Sequence, residues 1–182
     1  MIAAAVMPPI VVGLAGITHP DHLTQEASLY WRNLHVVFLP LLPLLALGPW
    51  VIARSVDRKL GYLAAVLGYV YACFYTALDV LAGIGAGGLK RANADGVRVL
   101  FDLAADLGQV GSVAFIVATA VAAGCALSVA RLRAIPGAAL AFAGAYGYMQ
   151  EHVYWPAGVL SMFALAAGWT LMLLVIKPEE AV

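Results

Sequence analysis

Runs of roughly twenty apolar residues recur along this chain, the length an α-helix needs to cross a hydrocarbon core about 30 Å thick. In that solvent every backbone polar group must be paired within the protein, so a spanning segment of this length is a helix. The runs cover residues 1–17, 34–53, 60–84, 109–130, 135–152 and 156–176. They predict an all-α integral membrane protein: a bundle of six transmembrane helices, five if the first run does not span. The whole of residues 1–182 is read as a single transmembrane domain. Charged residues make up 11% of the chain, against about 25% in a soluble domain. Lipid is therefore the first expected partner. No basic cluster exceeds three residues, so nucleic acid is not expected.

The first run holds Pro8-Pro9 and lacks the basic start of a secretory signal, so it is read as a retained helix. Six spans put both termini on one side. The loops on that side hold Arg54, Arg58, Lys59, Arg131, Arg133 and Lys177, and those on the other hold Arg32, Lys90, Arg91 and Arg98. The excess of basic residues marks the first side as cytoplasmic. A bacterial-type inner or plasma membrane with both termini cytoplasmic is the expected location. The two long outer connections, 18–33 and 85–108, are each expected to carry a short amphipathic helix, the clearer one at Ala94–Gly108.

Small residues at four-residue spacing let membrane helices approach closely. The third run has Ala64, Gly68, Ala72 and Thr76, and the fifth has Gly137, Ala141 and Ala145. These two are expected to be the central helices. Gly83-Ile-Gly-Ala-Gly-Gly88 reads as a plain loop, with no phosphate-loop chemistry around it. Pro40 and Pro43 are expected to bend the second helix.

The polar residues point to one surface. Asp79 is the one acid well inside an apolar run, and Tyr71, Tyr75 and Asp79 share a helix face at four-residue spacing. An ionisable group within a span is a functional candidate by default. A ligand-binding site is expected from Tyr75, Asp79, Tyr148, Glu151 and His152. Three of the four histidines, His19, His22 and His35, lie between Thr18 and His35, while His152 ends the fifth run at a depth similar to that of His35. His19, His22, His35 and His152 are the candidate metal ligands, since imidazole serves zinc, copper and iron alike. Pro20 places His19 and His22 in a turn instead of on one helical face.

Two functions follow as expectations. The first is a small-ligand or ion-handling protein, alone, as a homo-oligomer or as an integral subunit with other membrane proteins. Its partner is then a small molecule or ion at an outward-facing polar site. The alternative is a membrane-embedded enzyme, oxidoreductase or hydrolase, acting on a lipid-like substrate at the outer leaflet. It depends on a transition metal, or on haem with His35 and His152 as axial ligands. Glu151 or Asp79 is its general base. Cys73 and Cys125 have no CxxC partner and read as small buried side chains.

Overall fold

A computed structural model describes residues 2–176. Among these residues the chain is all-helical, 87% helix with no strand. Eight α-helices follow in order: α1 (Ile2–Gly16), α2 (Ser28–Leu41), α3 (Leu47–Val56), α4 (Arg58–Leu78), α5 (Ala86–Arg91), α6 (Val97–Ala130), α7 (Ile135–Glu151) and α8 (Ala157–Ile176). Short 3-10 and π segments fuse several of them. As a result, four helical stretches are long and apolar enough to cross a membrane: Ser28–Val56, Arg58–Arg91, Val97–Glu151 and Ala157–Ile176.

The count differs from the expected six for two reasons. The first run forms a helix of 15 residues, about 22 Å at 1.5 Å per residue and short of a full hydrocarbon core. The fourth and fifth runs join into one helical stretch of 55 residues. That stretch is not straight. Arg131 ends α6 with φ 50° and ψ −130°, a 3-10 turn runs over Arg131–Ala134, and α7 returns packed against α6.

Each junction has a local cause. Pro40 and Pro43 remove backbone donors, and the helix tightens to 3-10 geometry at Leu42–Ala46. The Tyr71 hydroxyl donates to the Leu42 carbonyl at 3.1 Å. Asp57 breaks the next connection in extended geometry, and its carboxylate caps α4 by accepting from the Lys59 and Leu60 amides at 2.7 and 2.8 Å. The glycine series is helical rather than a loop. A π-helix over Asp79–Gly85 passes directly into α5. Neither expected loop helix stands alone: Ala94–Gly108 contributes the first turns of α6, and the 17–27 connection is made of turns.

The α7 stripe packs as expected. Gly137 and Gly144 lie against α8, where an added Cβ would meet the carbonyls of Gly168 and Ser161 at 2.9 and 2.7 Å. The third run is peripheral instead of central. The apolar window of Arg58–Arg91 is 28% buried, against 50% for α8, although Gly108 and Gly111 of α6 admit Leu78 and Tyr75 closely. The connections 17–27, 92–96 and 152–156 meet at one end of the bundle. There the Gln25 side chain donates to the Arg91 carbonyl at 3.2 Å, and the His19 and Tyr154 rings lie 4.6 Å apart.

Gly168 sets the α7–α8 distance, because a Cβ there would stand 2.5 Å from the Ala141 amide nitrogen and 2.7 Å from the Gly137 carbonyl oxygen. Gly168→Leu is expected to destabilise the fold by at least about 1–3 kcal/mol, the usual penalty of overpacking. Gly124→Ala, where an added Cβ meets nothing within 4 Å, should be neutral. Thermal unfolding in detergent distinguishes the two.

Candidate metal centre

His19, His35 and His152 converge at the end of the bundle where the three connections meet. Their ligating nitrogens lie within 4.8 Å of one another. Three separate elements deliver them. His19 follows α1 in the connection, His35 lies in the second turn of α2, and His152 caps the C-terminus of α7. His22 is exposed and stands outside the group. The turn at Pro20 that separates the two neighbours also holds one of them, since His19 Nδ1 lies 2.8 Å from the Pro20 carbonyl oxygen.

For two of the three rings the hydrogen bonds settle which nitrogen is bare. A carbonyl oxygen only accepts, so His19 Nδ1 carries its proton toward Pro20. His35 Nδ1 carries its own toward the Trp31 carbonyl, 2.8 Å away. In neutral imidazoles both Nε2 atoms are then bare lone pairs, and these two face each other at 3.5 Å. His152 Nδ1 lies 2.7 Å from the Tyr75 hydroxyl, and its Nε2 is buried without any hydrogen-bond partner. A buried polar atom left unpaired costs about 1–3 kcal/mol. Two opposed lone pairs add repulsion, and one cation between the rings relieves all three atoms together.

Metal–imidazole bonds of about 2.0–2.1 Å set nitrogen–nitrogen edges of about 3.3–3.6 Å. The His19–His35 edge already has that length. The remaining edges, at most 4.8 Å, close with a movement of about 1 Å. Haem does not fit. A porphyrin fills every equatorial direction around an iron held between His35 and His152, and the third imidazole, His19, stands in one of them.

The surroundings keep the rings in place. His19 makes edge contacts with Trp31 at 4.8 Å and Tyr154 at 4.6 Å. Trp31 donates its indole N–H to the Ala82 carbonyl at 3.0 Å, which ties α2 to the π-helix. Gly83 of that π-helix lies flat against His35, and a Cβ there would overlap the imidazole. His152 itself has φ 50° and ψ −127°, a conformation that costs a non-glycine residue about 1–3 kcal/mol. Arg131 ends α6 in the same way without any site nearby, so the backbone form is a helix terminator, which at position 152 also aims an imidazole inward.

The five expected ligand-binding residues divide. Tyr75, Glu151 and His152 line a cavity of about 370 Å³ with Gln109, Ser112 and Gln150. Tyr148 is buried beneath it and hydrogen-bonds Tyr71 at 3.0 Å. Asp79 is fully buried with both carboxylate oxygens unpartnered. It stands on α4's continuation between Tyr75, which holds His152, and Gly83, which cradles His35. A second cavity of about 180 Å³ adjoins the first and is lined by His35, His152, Trp31 and apolar side chains. Trp31, Gly83 and Tyr154 were not among the expected site residues, although an aromatic residue close in sequence to His35 and another close to His152 form a signal that could have found the first and the last.

Outside the spans, burial holds the His19 pKa below the usual 6.5, against the opposing pull of the Pro20 carbonyl and Asp21. Burial pushes the Tyr154 hydroxyl up to about 12, with the Asp21 charge adding to the shift. Tyr154 is therefore a neutral hydroxyl beside the histidines. No family model matches the chain, and no curated protein or solved structure is similar to it.

Two outcomes follow. Tyr75→Phe removes the group that orients His152 and is expected to weaken metal affinity by about 10–100-fold, as outer-shell substitutions do; competition with a chromophoric chelator measures it. Burial lowers the folded pKa of His19, so the unfolded chain takes up that proton first as pH falls. Metal-free protein should keep the His19 contribution to its stability above pH 6.5. It should lose that contribution as pH falls below 6.5, and His19→Gln should flatten this slope in chemical-denaturation series.

Proposed function

We propose that this chain is an integral membrane protein holding one late first-row transition ion, zinc or copper, through Nε2 of His19, His35 and His152. The observation that carries this reading is the convergence of three imidazoles, two of them held by backbone carbonyls in the tautomer that leaves Nε2 bare. Two Nδ1 atoms donate to backbone carbonyls and the third lies against a tyrosine hydroxyl, the Nε2 atoms of His19 and His35 face each other, and that of His152 has no hydrogen-bond partner. Imidazole suits these ions, and the order of affinities along the row favours copper and zinc. Three protein ligands with an open fourth position is the pattern of a reactive centre, whereas structural zinc sites are closed.

Such an ion supplies Lewis acidity and, with a bound water, a nucleophile near neutral pH. The chain's own residues hold and orient it. The Pro20 and Trp31 carbonyls and Tyr75 fix the ring tautomers, the aromatic side chains of Trp31 and Tyr154 keep the rings in place, and the 370 Å³ cavity brings polar groups to the open side. This reading places the protein between the two expected functions: an ion is held, and a small molecule reaches it.

In this proposal the bundle has six legs, with α6 and α7 as separate spans divided at Arg131–Ala134 and α1 as a short leg packed on α8. The end opposite the histidines carries Arg54, Arg58, Lys59, Arg131 and Arg133, which supports a cytoplasmic assignment for it and an outer-face metal site. Lys177, also counted toward that end, lies outside the described residues.

Protein purified without chelator or affinity-tag metal is expected to carry about one zinc or copper per chain by elemental mass spectrometry. His35→Ala and His152→Ala should each abolish it, and His22→Ala should leave it unchanged. Stoichiometric metal retained in both alanine variants defeats the proposal.

A further inference from the structure

The open side of the histidine triangle faces a chamber whose size and walls specify a ligand. The 180 Å³ cavity touches His35 and His152 and is otherwise walled by Trp31, Phe101, Tyr154, Leu78 and three alanines of the π-helix and α6. His19 lines neither cavity. An apolar cavity of about 150 Å³ is enough to hold one benzene ring. Three of the walls are aromatic, with Trp31 set edge-on to Phe101 at 6.3 Å and tilted to Tyr154 at 6.3 Å. Such rings accept a further ring in edge or offset geometry. Through Leu78, Ala105, His152 and Tyr154 the chamber shares its wall with the larger polar cavity, where Gln109, Gln150 and Glu151 lie.

We propose that the chamber binds a single-ring phenol, with the ring among Trp31, Phe101 and Tyr154 and the oxygen on the open position of the ion. A phenol satisfies both halves of the space at once. Its body matches the apolar volume, and its oxygen stands at the edge of the ring that meets His35 and His152. A straight-chain alcohol has the oxygen but does not use the aromatic walls, and a plain hydrocarbon ring leaves the metal position unfilled. Substituents on the ring reach the shared opening and the amide and carboxylate groups beyond it. The proposal rests on the metal-binding reading, because the oxygen needs an ion to coordinate.

The test uses the full chain in detergent, loaded with Co2+ as a visible-spectrum probe of coordination. Phenol is expected to shift the Co2+ absorption bands and saturate at about millimolar concentration or below, the range open to so small a ligand. Toluene should leave the bands in place, and hexanol should need at least tenfold more to move them. Ala105→Phe adds a ring at an exposed α6 position shared by both cavities. It should retain the Co2+ spectrum and lose the phenol response; Ala105→Leu serves the same purpose if the larger side chain prevents loading.

Failure to take up Co2+ overturns the metal reading itself. Co2+ bound normally but indifferent to phenol, or equally sensitive to hexanol, overturns the chamber assignment alone. An undiminished phenol response in the loaded Ala105 variants also overturns it, because the ring would then bind elsewhere.

Discussion

Three imidazoles whose outer nitrogens are already committed are the constraint on which this end of the molecule depends. The Pro20 and Trp31 carbonyls accept from His19 and His35, and Tyr75 engages His152. The inner nitrogens are left with one another. In a bundle interior, where water is scarce, the cost of unpaired polar atoms is high, and no arrangement of protons on neutral rings satisfies all three Nε2 atoms. The proposed cation would. The aromatic contacts, the cradle at Gly83 and the strained cap at His152 then read as what holds the rings in this arrangement.

That arrangement draws on elements far apart in the chain. The α1–α2 connection supplies His19, α2 supplies His35 and Trp31, the π-helix supplies Gly83 and the Ala82 carbonyl, and α7 supplies His152. A π-helix is uncommon and recurs at functional sites. Here it directs a glycine onto an imidazole while an indole takes up one of its carbonyls. The two cavities lie where these elements and α6 meet; the more polar one is lined by Gln109, Gln150 and Glu151, and both touch His152.

Much of this was legible in the sequence because lipid imposes simple rules. Apolar run lengths gave the helical class and most helix positions, and the equal depth of His35 and His152 brought them together. The α7 stripe was legible because close approach in lipid needs small residues at regular spacing. The span count is less plain, since hydropathy registers neither how short α1 is nor that a single 3-10 turn at Arg131–Ala134 is all that separates α6 from α7. Arg58–Arg91 misled for a related reason. Small residues occur wherever two helices touch, so Gly68 facing Ala46 says nothing of how much lipid the other faces meet. The turn at Pro20 was legible, but not that it leaves His22 outside the group while its carbonyl orients His19. Backbone carbonyls carry no sequence signature, which is why the deciding hydrogen bonds could not be read in advance.

X-ray absorption fine structure of metal-loaded protein tests the central claim most directly. The account predicts three imidazole nitrogens at about 2.0–2.1 Å, with the multiple-scattering pattern of histidine rings and one further light ligand. In His19→Ala, which loses the metal it carries through purification and is reloaded at excess metal for this measurement, the imidazole count should fall from three to two. A shell without imidazole scattering, or an imidazole count unaffected by removing His19, would contradict it.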